Sequence, residues 1–228
     1  MRIRSLLAGR SARSEPPGYD PERARTTVTR HRTIPHDQRR YDCRVVESVD
    51  SPYAVGYGYD PTSDSSRVFL LDGEETVRSV SSTRPTDADI ATDGTAVVIE
   101  SGSDADLTSR VRILDTRGET ELRRTIDATV GTSGISADGS HVVAVSKARS
   151  PRAHIYDVVD AEATTTDLYM SGLGFESFQR GDDGRQICLS DGSRPHLILD
   201  ASGDTVWESD TYRSMRPKLT QVRDWLSG

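Results

Sequence analysis

Short apolar runs separated by polar turns recur along most of this chain, and their spacing is nearly constant. Arg67-Val68-Phe69-Leu70-Leu71-Asp72, Arg110-Val111-Arg112-Ile113-Leu114-Asp115, Arg152-Ala153-His154-Ile155-Tyr156-Asp157 and Arg194-Pro195-His196-Leu197-Ile198-Leu199-Asp200 each carry a strand into a polar turn. Their closing aspartates stand 43, 42 and 43 residues apart. A second marker, the dipeptide at Asp93-Gly94, Asp138-Gly139 and Asp183-Gly184, returns every 45 residues, about half a repeat from the first. Asp-Gly supplies the positive φ angles of a tight hairpin, so each pair predicts a place where one strand folds back on the next. Two markers in phase predict one supersecondary unit used repeatedly.

The remaining strands fall between the markers. A first unit, about residues 41–81, holds Arg44–Ser48, Tyr53–Tyr59 and the strand into Asp72. The second reads Thr86–Ala91, Ala96–Ile99, Val111–Leu114 and Thr120–Ile126; the third reads 134–136, Val142–Val145, Ala153–Tyr156 and Thr164–Leu168. Phe175–Gln179, Gln186–Leu189, His196–Leu199 and Thr205–Glu208 make the fourth. Second strands such as Ala96–Ile99 and Val142–Val145 are continuous apolar runs, which predicts burial on both faces. Fourth strands such as 119–126 alternate polar and apolar residues and suit an outer edge facing water, where charge discourages edge pairing.

Periods of about 40–45 residues built from several short strands are the signature of propeller blades. The expected fold class is therefore all-β and β-propeller-like: four repeats of about 43 residues, each of four antiparallel strands, with a basic N-terminal arm and a short C-terminal helix. The expected domain limits are 1–40 for a partly disordered arm, 41–213 for the repeats and 214–228 for an amphipathic helix. Within the arm, a short helix at 2–8 and a strand at Arg25–Thr33 flank a linker whose Pro16-Pro17-Gly18 denies regular structure. In the helix, Leu219, Val222 and Leu226 follow Pro217 at three- and four-residue spacing. Four units leave the closure open among three arrangements: a small ring, an arc capped by the terminal segments, or two chains completing a ring of about eight blades.

The repeats resemble the WD40, YVTN and PQQ-like group of β-propellers over about residues 41–209. Leu199-Asp200-Ala201-Ser202-Gly203-Asp204-Thr205-Val206-Trp207-Glu208-Ser209 is similar to the PQQ-like repeat, with its Asp, turn Gly and Trp. That resemblance implies that Trp207 packs between blades. Leu114-Asp115-Thr116-Arg117-Gly118-Glu119-Thr120-Glu121-Leu122 keeps the Asp and Gly and has Leu at the Trp position; the other two units lack both that Gly and the Trp. Enzymes of the PQQ-dependent type need many more blades and a cofactor floor, so the resemblance implies no cofactor for a chain of 228 residues.

Composition adds a setting. The chain has 27 Arg against two Lys, Lys147 and Lys218, and a net charge of −7. An acidic, Asp-rich, Lys-poor composition resembles that of proteins from extreme halophiles, where hydrated carboxylates keep the folded chain in solution. Charge is uneven: residues 1–44 carry +6, the rest −13. No run approaches the ~18 apolar residues of a membrane span. Leu6-Leu7-Ala8 is far shorter than the ~7–15-residue apolar core of a signal peptide. The expectation is a cytoplasmic protein with two reduced, buried thiols, Cys43 and Cys188, which meet only if distant repeats do.

Catalytic motifs are sparse. No nucleophile elbow, phosphate-binding loop or dinucleotide fingerprint is present. His31 and His36 lack ligand-spaced partners, and His154 and His196 hold equivalent strand positions, so strand repetition explains them better than metal. The acidic loops 60–66 and 101–106 lack calcium-loop spacing and read as solvated. The leading expectation is thus a non-enzymatic scaffold that presents a loop face to a protein partner, with self-association into a homodimer as an option. The alternative is nucleic-acid association through the arm, carried by Arg2, Arg4, Arg10, Arg13, Arg30, Arg32, Arg39 and Arg40. A third is a propeller-type hydrolase using metal-bound water.

Overall fold

The aspartates that mark the repeat end strands because their carboxylates hold the turn that follows. In the computed structural model, which describes residues 16, 19, 27–102, 107–181 and 184–216, Asp115 Oδ1 accepts the backbone N–H groups of Arg117 at 2.9 Å and Glu119 at 2.8 Å. Asp157 does the same for Val159 and Asp160, and Asp200 for Ser202 and Asp204. Such side-chain acceptors mimic a backbone turn and stop the strand from continuing.

Four antiparallel sheets follow in chain order. Sheet 1 contains β1 (Thr27–His36), β2 (Arg39–Ser48), β3 (Tyr53–Tyr59), β4 (Ser66–Asp72) and β5 (Glu75–Ser82). Sheet 2 contains β6 (Pro85–Ile90), β7 (Ala96–Ser101), β8 (Ser109–Leu114) and β9 (Thr120–Ile126). Sheet 3 holds β10 (Val130–Ile135), β11 (His141–Ser146), β12 (Arg152–Asp157) and β13 (Ala163–Asp167). Sheet 4 holds β14 (Gly174–Gly181), β15 (Gly184–Ser190), β16 (Pro195–Asp200) and β17 (Thr205–Glu208). Strands in each sheet pair strictly with their sequence neighbours, so every unit is a meander.

The continuous apolar strands are sandwiched as their pattern demands. Ala96 and Val98 of β7 join the core shared with sheet 1, while Val97 and Ile99 join the core shared with sheet 3. On β11, Val142 and Ala144 face sheet 2 and Val143 and Val145 face sheet 4. Burying both faces of a strand removes some 1.5–3 kcal/mol worth of apolar exposure per large side chain. Gly134 lets sheets 3 and 4 approach closely, since a Cβ there would lie 1.9 Å from the Phe175 ring.

Sheet-on-sheet packing runs 1 on 2, 2 on 3 and 3 on 4. Among the described residues no strand of sheet 4 packs comparably on sheet 1. A further apolar cluster, Ile34, Tyr41, Cys43, Val45, Ala54, Phe69 and Leu71, draws on sheet 1 alone and lies on its face away from sheet 2. Among the described residues the sheets thus stack as an arc, 1 on 2 on 3 on 4. Tyr19 donates a 2.6 Å hydrogen bond to Glu176 of β14, so the N-terminal segment touches the last sheet while β1 belongs to the first.

Three expectations need correction. The first sheet has five strands: β1, in the arm, pairs with β2 along its whole length, and β2 begins at Arg39, so the limit at residue 40 falls inside a strand. Asp37 and Gln38 form the two-residue turn between them with φ of 48° and 63°, the pattern usually filled by Asn-Gly. The strand expected at Arg25–Thr33 is present as β1; only its Ile34 is fully buried, so no apolar pattern marked its continuation to His36. The C-terminal helix, α1 (residues 210–216), begins four residues before the expected limit because Ser209 caps it, Oγ accepting Tyr212 N–H at 3.1 Å. Leu219, Val222 and Leu226 lie outside the described residues, as do the expected helix at 2–8 and Asp183.

Trp207 is the third. It pairs with Ile198, which alternates with Leu197 and Leu199 of the core between sheets 3 and 4 and so points the opposite way. Trp207 therefore lies on the face of sheet 4 turned away from sheet 3. Leu122, its counterpart in the second unit, is buried between sheets 2 and 3. The position faces away from the preceding sheet in both units.

Candidate functional site

The two ends of the arc are built differently. At one end lie the turns after the first and third strands of sheets 2 to 4, including 91–95, 115–119, 136–140, 158–162 and 201–204, most of them short and aspartate-held. Neighbouring turns are stitched together there. Thr92 donates from N–H and Oγ1 to the Ala137 carbonyl at 2.8 and 2.6 Å, and Arg185 of sheet 4 forks onto Asp138 of sheet 3. That fork, with bonds from Ser140 and Ser136, holds the Asp138 carboxyl well below the usual range.

Longer loops occupy the other end, and two clefts open there. One, of about 500 Å³, lies between sheets 3 and 4, where Lys147, Pro151, Leu173, Phe175 and Asp191 form its walls. The second, of about 800 Å³, lies between sheets 1 and 2 and has the denser chemistry. Ladder register builds its main wall: His31 faces Arg44, Thr33 faces Asp42, Arg44 faces Tyr57, and Asp42 faces Tyr59, so these side chains share one face. Arg84, Pro85 and Thr86, leading into β6, form the opposite wall. Arg84 holds a left-handed φ of 50°, a conformation uncommon for a residue with a Cβ.

Polar groups in this cleft are unevenly satisfied. The Arg44 guanidinium lies 5.8 Å from the Tyr57 ring centroid, within cation–π range. Asp42 accepts Thr33 Oγ1 at 3.3 Å. Tyr57 is 4% exposed, and its hydroxyl is buried without a hydrogen-bond partner among the described residues. Burial, with the nearby Asp87 carboxylate, pushes its pKa up to about 12, so it stays a protonated donor. Tyr59, 57% exposed, stands at the rim.

Deeper, β6 is tied to β10 by two acids. Asp87 Oδ2 accepts Ser133 N–H at 2.8 Å and its hydroxyl at 2.9 Å, and Asp89 Oδ2 accepts Ile135 N–H at 3.1 Å. Burial pushes both carboxyls up, Asp89 to about 7.

Among the described residues, the arm's arginines make separate contacts. Arg2, Arg4, Arg10 and Arg13 lie outside the described residues. Arg30 pairs with Glu47 at 3.1 Å, Arg32 donates to the Glu74 carbonyl at 3.2 Å, and Arg39 donates to Ser63 and Ser65 beside Asp60. Arg40, exposed, pairs with Pro35 across the hairpin. Cys43 and Cys188 are both buried free thiols. His154 and His196 sit in separate sheets, and no cluster of metal-ligating side chains forms among the described residues.

One constellation invisible in composition is a Ser–His–Asp set. His196 is 0% exposed; its Nε2 lies 2.9 Å from Asp191 Oδ2 and its Nδ1 2.9 Å from Ser209 Oγ. Ser209 Oγ also accepts the Tyr212 amide that starts α1, and neither Ser209 nor His196 lines either cleft. The set is a clamp fixing loop 191–194 and α1 to β16.

No protein-family model and no curated protein matches this chain. Solved structures similar to it include the Dos1 propeller, at 12% identity and a TM-score of 0.49, covering 78% of this chain and 59% of that one. The β-propeller domain of the Trilobed protease from Pyrococcus furiosus is 11% identical with a TM-score of 0.44, covering 82% and 58%. Hydrazine synthase of Kuenenia stuttgartiensis is 16% identical with a TM-score of 0.46, covering 72% and 61%. The chain spans about 60% of the length of these structures. The fold is β-propeller-like. Its warrant is the stack of four antiparallel meanders, each now called a blade. No helix among the described residues is long and apolar enough to cross a membrane.

Proposed function

We propose that this chain is a non-enzymatic, PQQ-like propeller scaffold that binds a protein partner through the end bearing both clefts, in the cytoplasm of an extreme halophile. The observation that carries the reading is the asymmetry of the two ends. One end uses its aspartates to hold turns and stitch blades. The other offers two clefts and the loops 147–151 and 191–194, and binding residues concentrate on loops held by a rigid scaffold. Commitment of Ser209 to a helix cap supports a structural rather than a hydrolytic role for its His196 contact. Pairing of Arg30 with Glu47 favours the scaffold over nucleic-acid association through the arm, since a neutralised guanidinium releases fewer phosphate counterions.

The test is capture from a native lysate at molar KCl, with nuclease treatment, comparing the wild-type chain with variants that shorten loop 147–151 or 191–194. A defined protein captured by the wild type and lost in a folded loop variant is the expected result. Capture that persists through both loop variants would place the interaction elsewhere, and nucleic acid as the sole species co-eluting in a parallel capture without nuclease at ~0.1 M KCl would replace the scaffold by the arm.

A further inference from the structure

We propose that the cleft between blades 1 and 2 is a binding site for a small organic monoanion, a carboxylate carried on a planar body. The inference goes beyond the scaffold reading and stands whether or not a protein docks nearby. Its first support is the Tyr57 hydroxyl, buried with no partner among the described residues while its ring lines the cleft. Leaving a buried polar group unbonded costs about 1–3 kcal/mol, so such a group calls for a ligand or a role. An acceptor oxygen in the cleft would satisfy it.

Charge defines that acceptor. The Arg44 guanidinium stands beside Tyr57, with His31 opposite Arg44 on β1, and the cleft is closed on its far side by the segment Arg84–Thr86. Guanidinium and phenol donors together are a carboxylate-binding set. Asp42 on the same wall and the buried Asp87 behind it return two negative charges, keeping the net charge of the site small. A dianion such as a phosphate monoester would meet about twice the repulsion from these two carboxylates that a monoanion meets. Tyr59 at the rim supplies an exposed aromatic plane for an unsaturated body. The volume of about 800 Å³ lies within the ~300–1,000 Å³ typical of small-molecule sites.

The probes are benzoate, phenyl phosphate and benzamide, titrated into the full chain at constant ionic strength and followed by backbone amide NMR. Benzoate should produce saturable shifts at Arg44, Tyr57 and Gly58 in the millimolar range, with phenyl phosphate at least about threefold weaker and benzamide without saturable effect. Tyr57→Phe should weaken benzoate about five- to tenfold, the equivalent of one hydrogen bond, while its melting temperature stays level or rises because the orphan hydroxyl is gone. Arg44→Met should abolish the shifts. Three results would each overturn the assignment: benzamide binding as well as benzoate, phenyl phosphate binding more tightly, or Tyr57→Phe titrating like the wild type. Saturable benzoate binding without any captured protein would sustain this site while removing the scaffold.

Discussion

At the scale of single residues, the chain uses carboxylates in two opposite ways. The repeated aspartates are exposed or half-buried and accept N–H bonds, and they shape turns rather than bind ligands. Replacing Asp200 with Ala should cost about 1–2 kcal/mol, in line with loss of comparable side-chain caps, readable as a lower denaturant midpoint. Asp89 works against its surroundings, because burial raises its pKa to about 7 in the folded chain from 3.8. The folded state therefore holds a proton that the unfolded state releases. The stability this provides is complete below about pH 4 and is lost as pH rises towards 7. Asp89→Asn should flatten that decline, so thermal melts at pH 5 and pH 8 should differ less than in the wild type. Equal pH dependence in both proteins would show that Asp89 is ionised in the fold.

Elements reveal where pattern and packing separate. Strand β8 would be an apolar run but for Arg112, and its guanidinium is buried, bonded to Glu100 Oε1 at 2.9 Å and to the Ser81 carbonyl at 3.1 Å. Glu100 in turn accepts Ser82 Oγ at 2.8 Å, so this pair couples β5 to blade 2. Arg112→Leu should cost about 1–3 kcal/mol, because it removes the shorter of the two arginine pairs of the buried Glu100 carboxylate and leaves Arg110 at 3.4 Å; Arg112→Leu with Glu100→Leu should recover most of that loss in the same melts. The β1–β2 hairpin carries non-glycine residues at two positive φ angles. Asp37→Asn with Gln38→Gly should raise the melting temperature by relieving that strain. A fall would mean that Asp37 or Gln38 makes contacts worth more than the strain.

For the whole molecule, the arc and its charge set the conditions of stability. Each inner blade is covered on both faces, while blades 1 and 4 each turn one face away from the stack. The negative charge of residues 45–228 repels itself, and salt shortens the range of that repulsion from about 10 Å at 0.1 M to about 3 Å at 1 M. The unfolding midpoint should therefore climb as KCl rises from ~0.1 to ~2 M. A flat or falling midpoint would remove the halophile setting.

Period, strand identity and most turns were legible in the sequence because they arise from neighbours along the chain. Asp-Gly pairs, double-sided apolar runs and alternating outer strands each act within about ten residues, and the meander repeats them four times. Tertiary structure decided the rest. The strand expected at Arg25–Thr33 joined the first sheet and ran on to His36 because β2 offered it an edge, though its residues are mostly polar. Trp207 took the face away from sheet 3 because its cross-strand partner Ile198 points there. His196, Asp191 and Ser209 met because a helix cap landed beside a strand. The candidate cleft draws on segments near residues 32, 43, 58 and 85; cross-strand register and blade packing assemble it, and neither is a property of any one segment.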